Sequence, residues 1–522
     1  MRTFDLVIQK ICNARRAVAI TAILALSLGV YAFAQTPPAG RGGQRGNAGN
    51  DAERAYRTAM EKDDQRIADE VKAHSELMKN LEYLCTQIGA RLTGSPQMQR
   101  ASDWTLQRFK DYGIDAHLED AEIPHGFQRG IDTAMIVSPV QKIVGIHAAG
   151  WSKSTSGEIT GNVVILQAES EEEFNAKYKG KLKDAIILAA PPSKLAPENE
   201  IPDNAYDAVI PPQRGVPTQG QRGMGQRFNL NQALQAEQVG VQLRDSGKTD
   251  SLFNMGGAGG GYNESPFPSA FITHEDYSLL YRLASAGSVS MKVNITSHVT
   301  GPQKASITVA EIKGSEFPDE RVIIGGHLDS WDLGQGATDN GTGSMAVLEA
   351  ARTIHALGLK PKRTITFILF TGEEQGGVGV RTFITNHKAE MPKVDAVLVH
   401  DTGTGAVKSI ALENYYETAP TMTQIYQPLQ EVFNLQPLST RYFGSSDHVA
   451  FQREGIPAYF CVQEPAHYRE NHHSQTDTFD KVIPDQVNQG AAFLAAWAWN
   501  TSEMTEALPH HQVQTQNGPG RN

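Results

Sequence analysis

The residues able to do chemistry gather in the second half of this 522-residue chain, each just after an apolar run. His327 and Asp329 follow the run 322–326, and a Gly-rich turn continues to Asp339. Glu373 and Glu374 follow 364–370, His400 and Asp401 follow 394–399, and the loop after 457–462 holds His467, His472, His473 and Asp477. Singly, each has an ordinary explanation. Asp339 before Asn340-Gly341 is as readily a helix cap, Glu373-Glu374 a solvated pair, and a loop His an unliganded surface residue. Convergence changes the reading, because several strand ends delivering only His, Asp and Glu would crowd negative charge that a cation must neutralise.

Carboxylates mixed with imidazoles and no thiolate fit zinc, and one ligand too many for a single tetrahedral site points to two zinc ions sharing a bridge. Asp339 is the natural bridge, since its Gly-rich turn lets both oxygens approach two ions. Ser446-Asp447-His448 does not form a serine-hydrolase triad by adjacency, and no G-x-S-x-G elbow follows a strand, so Asp447 reads as a helix N-cap. His274-Glu275 lacks the second His of an HExxH zinc helix.

The elements that must position these residues alternate. Strands at 305–312, 321–326, 364–370, 394–400 and 457–462 are interleaved with helices at 343–357, 379–387, 420–433, from 447, and at 484–504. That pattern predicts an α/β fold, a mixed and mostly parallel sheet sandwiched by helices, with ligands collecting at the carboxyl ends of the strands. Residues 52–112 show helical spacing around the turn Thr93-Gly94-Ser95-Pro96, and 114–123 reads as a strand. Between 133 and 300 the texture becomes a mostly-β module with strands at 133–137, 161–167, 184–188 and 289–295. Two stretches in it, 212–227 and 255–262 (MGGAGGGY), read as mobile surface excursions. The tail 508–522 reads as disordered, with His510-His511 solvated.

With hydrophobic residues at 40 %, charged residues at 20 % and a net charge of -11, the chain is globular, large enough for more than one domain, and unsuited to nucleic acid. Arg15-Arg16, the apolar run 17–33 and Ala32-Phe33-Ala34 read as a cleaved signal peptide over 1–34, so an exported protein with no stable membrane insertion is expected; the alternative is an uncleaved anchor. Residues 35–51 form a Gly- and Arg-rich leader with little to bury. Cys85 and Cys461 remain after cleavage, either paired or as two small buried hydrophobes.

In their order and spacing, HLDSWDLGQGATDNGTG, FTGEEQGGVG, HDTG, SSDH and HHSQTDT resemble the M28 family of dinuclear zinc exopeptidases. LCTQIGARLTGSPQMQRASDW, EITGNVVIL and YKGKLKDAIIL resemble its carboxypeptidase Q-like branch, which carries a protease-associated (PA) domain insert. The resemblance covers nearly all of the mature chain. It implies a catalytic domain built from 52–132 and 301–507, with the PA-like insert over 133–300. It also implies two zinc ions, one on His327 and Asp401, the other on Glu374 and His473, with Asp339 bridging. His473 is preferred to His472 because it precedes the Asp-Thr pair as the family's metal His does.

Asp329 would orient His327, and Glu373 would serve as general base and then general acid while a metal-activated water attacks the carbonyl of a short peptide or dipeptide. Aminopeptidases of the family place an oxyanion-stabilising Tyr shortly before SDH. Here Tyr442 is offset, leaving that role open between Tyr442, His448 and a metal. The resemblance further implies a homodimer. Competing readings are a glutaminyl cyclase-like acyltransferase with a single zinc and a receptor-like homologue without catalysis.

Overall fold

The computed structural model describes residues 45–195 and 228–511. The signal segment, most of the leader, the stretch 212–227 and the end of the tail lie outside them. The chain divides into two compact units, Met1–Ala55 and Tyr56–Asn522. Of the first, only 45–55 are described, the opening turns of the helix Arg45–His74. That helix therefore begins inside the leader 35–51, whose composition marks it as unable to fold alone. Farther along it buries Ile67 and Val71, and adding upstream turns to a helix already formed costs little.

The larger sheet of the second unit has seven strands: β1 (Asp115–Ile123), β2 (Gln303–Ile312), β3 (Phe317–His327), β4 (Arg363–Phe370), β5 (Val394–Val399), β6 (Val407–Ala411) and β7 (Ala458–Gln463). Their spatial order is β1-β2-β4-β3-β5-β7-β6. Pairs β4–β3, β3–β5 and β5–β7 are parallel, whereas β1–β2, β2–β4 and β7–β6 are antiparallel. The parallel centre is covered on both faces, which is why its strands are continuously apolar. Val322 and Ile324 of β3 enter one core with helices Thr342–Ala356 and Pro484–Ser502. Ile323 between them enters the opposite core with helices Val378–Asn386 and His448–Arg453. Because these strands run parallel, their carboxyl ends lie at one edge, where the ligand candidates emerge.

A second, eight-stranded sheet is drawn from 133–294 and has its own apolar core. The chain enters and leaves it through Phe127–Gln128 and His298–Val299, which pair antiparallel. It also carries the helices Glu171–Lys177, Leu230–Ala236 and His274–Ala286. The stretch 255–262 is a surface excursion only in its middle, where 259–261 are exposed. Met255 and Tyr262 at its ends are both buried in this second core, and Tyr262 meets Trp151 edge-on, so two large side chains anchor the glycines between them.

The start of the tail also packs. Leu508 is buried, and the His511 ring lies against Tyr415 with Nδ1 2.5 Å from Glu417. Cys85 and Cys461 are buried and unpaired, resolving the alternative in favour of small core residues. Among the described residues no helix is long and apolar enough to cross a membrane.

Candidate metal centre

The loop after β3 is shaped by one arginine. Arg91 is fully buried and donates from Nε to Leu328 O at 2.6 Å, from Nη1 to Gln335 O at 2.8 Å and from Nη2 to Gly336 O at 2.6 Å. Both ends of the loop are thus pinned to one planar group. Gly336 has φ +63, and a Cβ there would stand 2.3 Å from Ser330 Cβ and 2.7 Å from Arg91 Nη2, so only glycine lets the chain pass.

Asp339 is not the helix cap that its position before Asn340-Gly341 suggests. Asn340 takes that task, its Oδ1 accepting the Gly343 N–H at 3.0 Å. The Asp339 backbone is held instead by Asp477, whose Oδ2 accepts the Asp339 N–H at 3.2 Å. The Asp339 carboxylate is left to project into the site.

Its two oxygens face different partners. Oδ1 is 3.3 Å from His327 Nε2, which is also 3.1 Å from Asp401 Oδ1. Oδ2 is 3.4 Å from His473 Nε2, which lies 2.8 Å from Glu374 Oε2. His472 is a more distant neighbour, 3.9 Å from the same Oδ2, with its ring stacked on His473 at 3.8 Å. Two groups here have spacing suited to a cation: His327, Asp339 and Asp401, and Asp339 with His472 and His473. Despite their closeness, Asp339 Oδ2 and both Glu374 oxygens are buried without any hydrogen-bond partner. Ligand atoms converge in this way when they point at a common cation and not at each other, so the donor set fits metal.

The electrostatics agree. Burial, with the charge of Asp339, pushes the Glu374 carboxyl well above the usual range. Burial likewise raises Glu373 to about 8, helped by Asp401, Asp329 and Asp339 and opposed by His327. Burial works against charge on His327, but Asp401, Asp329 and Asp339 outweigh it and raise its pKa. Burial and the neighbouring His472 hold His473 well below its usual value, in the neutral form that ligates metal.

Asp329 does more than face His327. Its carboxylate is 3.5 Å from His327 Nδ1, whose nearer partner at 3.0 Å is the main-chain oxygen of Asp329. The carboxylate accepts Thr93 Oγ1 at 2.9 Å and the N–H groups of Glu373 and Glu374 at 3.3 and 3.4 Å. It therefore orders the turn after β4 as well.

Not every strand-end residue arrives. His400 is buried toward the C-terminal helix, 3.0 Å from where a Cβ on Gly490 would lie, and His467 is exposed beside Glu470. His448 is fully buried with Nε2 3.3 Å from Glu413 and its ring on Phe460, and neither ring nitrogen has a hydrogen-bond partner. Asp447 occupies the N-cap position of its helix but makes no cap bond; both its oxygens are buried without partners. Burial and then the charge of Glu373 raise its pKa, which places it in the field of the candidate base. Reading Asp447 as a cap misses this, and nothing short of the fold reveals Arg91 or Thr93.

Residues 308–498 match the model for peptidase family M28. Carboxypeptidase Q of Xenopus laevis is 31 % identical over 447 residues, covering 84 % of this chain and 88 % of that protein. Carboxypeptidase Q of Bos taurus is 30 % identical over 451 residues with the same coverage. Among solved structures, a peptidase M28 precursor from Shewanella amazonensis superposes with a TM-score of 0.70 at 26 % identity, over 87 % of this chain and 99 % of that one. A zinc aminopeptidase from Bacillus subtilis shares the fold, with a TM-score of 0.60 at 17 % identity over 83 % of this chain and 96 % of its own.

Proposed function

The chain belongs to peptidase family M28, and from that premise we propose that it is an exported dinuclear zinc exopeptidase acting on short peptides or dipeptides. It is a hydrolase of peptide bonds. The observation that carries the dinuclear reading is the division of the Asp339 carboxylate between two His–carboxylate pairs. His327, Asp401 and Asp339 Oδ1 would hold one zinc, and Glu374, His473 and Asp339 Oδ2 the other. When bound, the ions supply Lewis acidity toward the peptide carbonyl and a water of lowered pKa.

The protein's own part is proton handling and placement. Glu373 accepts the proton of the attacking water on its carboxylate and delivers it to the leaving amine; burial, which favours its neutral form, suits it to hold the proton between the two steps. Asp329 fixes the turn on which Glu373 sits, through the Glu373 N–H. The eight-stranded module is taken as the PA-like insert, supported by its entry and exit through one paired stem. Export is supported by the basic and apolar pattern of 1–34.

The test is hydrolysis of dipeptides and aminoacyl anilides by the purified chain. Chelation should abolish activity and added Zn2+ restore it. Glu373→Gln should keep two equivalents of zinc and lose about 10²–10⁴ in kcat. Full activity in that variant, or indifference to chelator, would overturn the reading.

A further inference from the structure

His473 has a left-handed backbone, φ +52, a strained conformation for a non-glycine residue, so its surroundings must hold it there. Those surroundings come from the inserted module. Lys248 follows the module strand Val241–Asp245 and sends Nζ to the main-chain oxygens of His472 at 2.7 Å and Arg469 at 3.0 Å. The Met255 N–H donates to His473 O at 2.7 Å. The Phe253 N–H donates to Gln475 Oε1 at 2.8 Å, and Gln475 Nε2 donates back to Ser251 O at 3.3 Å. Both carbonyls of the His472-His473 pair are thus satisfied from the module. Trp331, part of the module's core, adds its edge 6.0 Å from the His473 ring.

We infer that Lys248 is a positioning residue for the His473 half of the site, the tie through which the inserted module sets that half's geometry. The inference rests on the metal-ligand reading above. Lys248 carries its charge to two neutral carbonyls of one turn, so its removal takes the donor from part-buried acceptors where the backbone is already strained. The His327–Asp401 half is supported differently, by β3 and β5 of the central sheet. Loss of the tie should therefore be felt by one metal equivalent and not the other.

The test uses the full chain, stripped of metal and titrated with Zn2+ by calorimetry and with Co2+ by visible absorption. The wild type should bind two equivalents. Lys248→Met should weaken one of them about 10–100-fold, leave the other unchanged and lower kcat with little change in KM. Lys248→Arg should restore part of the affinity, and Lys177→Met, which removes an exposed ammonium on the same module, should change neither. Gln475→Ala cuts the same clasp from the other side and should weaken the same equivalent, so the idea stays testable even if Lys248→Met does not fold. Two unchanged affinities, or equal weakening of both equivalents, would overturn the assignment. A wild type that binds no zinc would instead sink the metal-centre reading itself, before any variant is compared.

Discussion

Asp477 grips the backbone behind Asp339. Its Oδ1 accepts the Thr338 N–H at 2.6 Å and Thr338 Oγ1 at 2.8 Å, while Oδ2 accepts the Asp339 N–H at 3.2 Å. All three donors converge on one buried side chain, so Asp339 can be aimed only as well as Asp477 is placed. Asp477→Asn swaps one acceptor for an NH2 facing an N–H. The expected result is a roughly 10-fold or greater loss of zinc affinity with the fold intact, measured by zinc titration beside circular dichroism. An unchanged titration would refute the role.

Asp329→Asn attacks the same centre from the β4 side. The carboxylate accepts from Thr93 and from the N–H groups of Glu373 and Glu374, and an amide cannot accept from all three in the same arrangement. A fall in kcat of about 10-fold or more is expected, together with weaker metal binding. Thr93→Val should give a smaller effect in the same direction, since Asp329 keeps its other donors. Steady-state kinetics on zinc-saturated enzyme separates the two contributions.

Arg91→Met tests stability. The guanidinium is the buried partner of Leu328, Gln335 and Gly336, and its positive charge lies in the field of Asp477, Asp329 and Asp339. Removing it takes a donor from the carbonyls of Leu328, Gln335 and Gly89, while Gly336 O keeps the Gly341 N–H, and it leaves the nearby carboxylates uncompensated. A loss on the order of 3 kcal/mol is expected in urea unfolding. Arg91→Lys should recover little, because one ammonium cannot span acceptors arranged for a planar fork. A variant as stable as the wild type would remove Arg91 from its place as organiser of the loop.

These residues mark the limit of what is legible in the sequence. His327, Glu374 and Asp401 stand out because a buried parallel strand is a continuous apolar run whose end is visible in sequence. Asp339 stands out through its glycines. Arg91, Lys248 and Thr93 carry no such sign, since what matters about each is a set of main-chain or carboxylate partners more than a hundred positions away. The stretch 255–262 misleads because glycine content speaks for the middle of a loop, whereas the burial of Met255 and Tyr262 decides what its ends do. Asp447 misleads because an N-cap position and an N-cap bond are different things.

Asp64, on the helix Arg45–His74, supplies a pH test that involves none of the candidate ligands. It is fully buried; its Oδ2 accepts from Asn500 Nδ2 at 3.0 Å, while Oδ1 and Asn500 Oδ1 have no partner. Burial outweighs the Asn500 bond and raises its pKa from 3.8 to about 8. Below 3.8 the folded and unfolded chains both hold the proton. Between 3.8 and about 8 the unfolded chain has released it and the folded chain keeps it, so stability falls as pH rises, and above about 8 the difference is constant. Asp64→Asn cannot ionise and offers a donor beside Asn500 Oδ1. Its Tm should match the wild type at pH 4 and exceed it by roughly 2–4 °C at pH 8. A difference that stays flat across this range, in thermal scans on metal-free protein, would show that Asp64 is not buried in its protonated form.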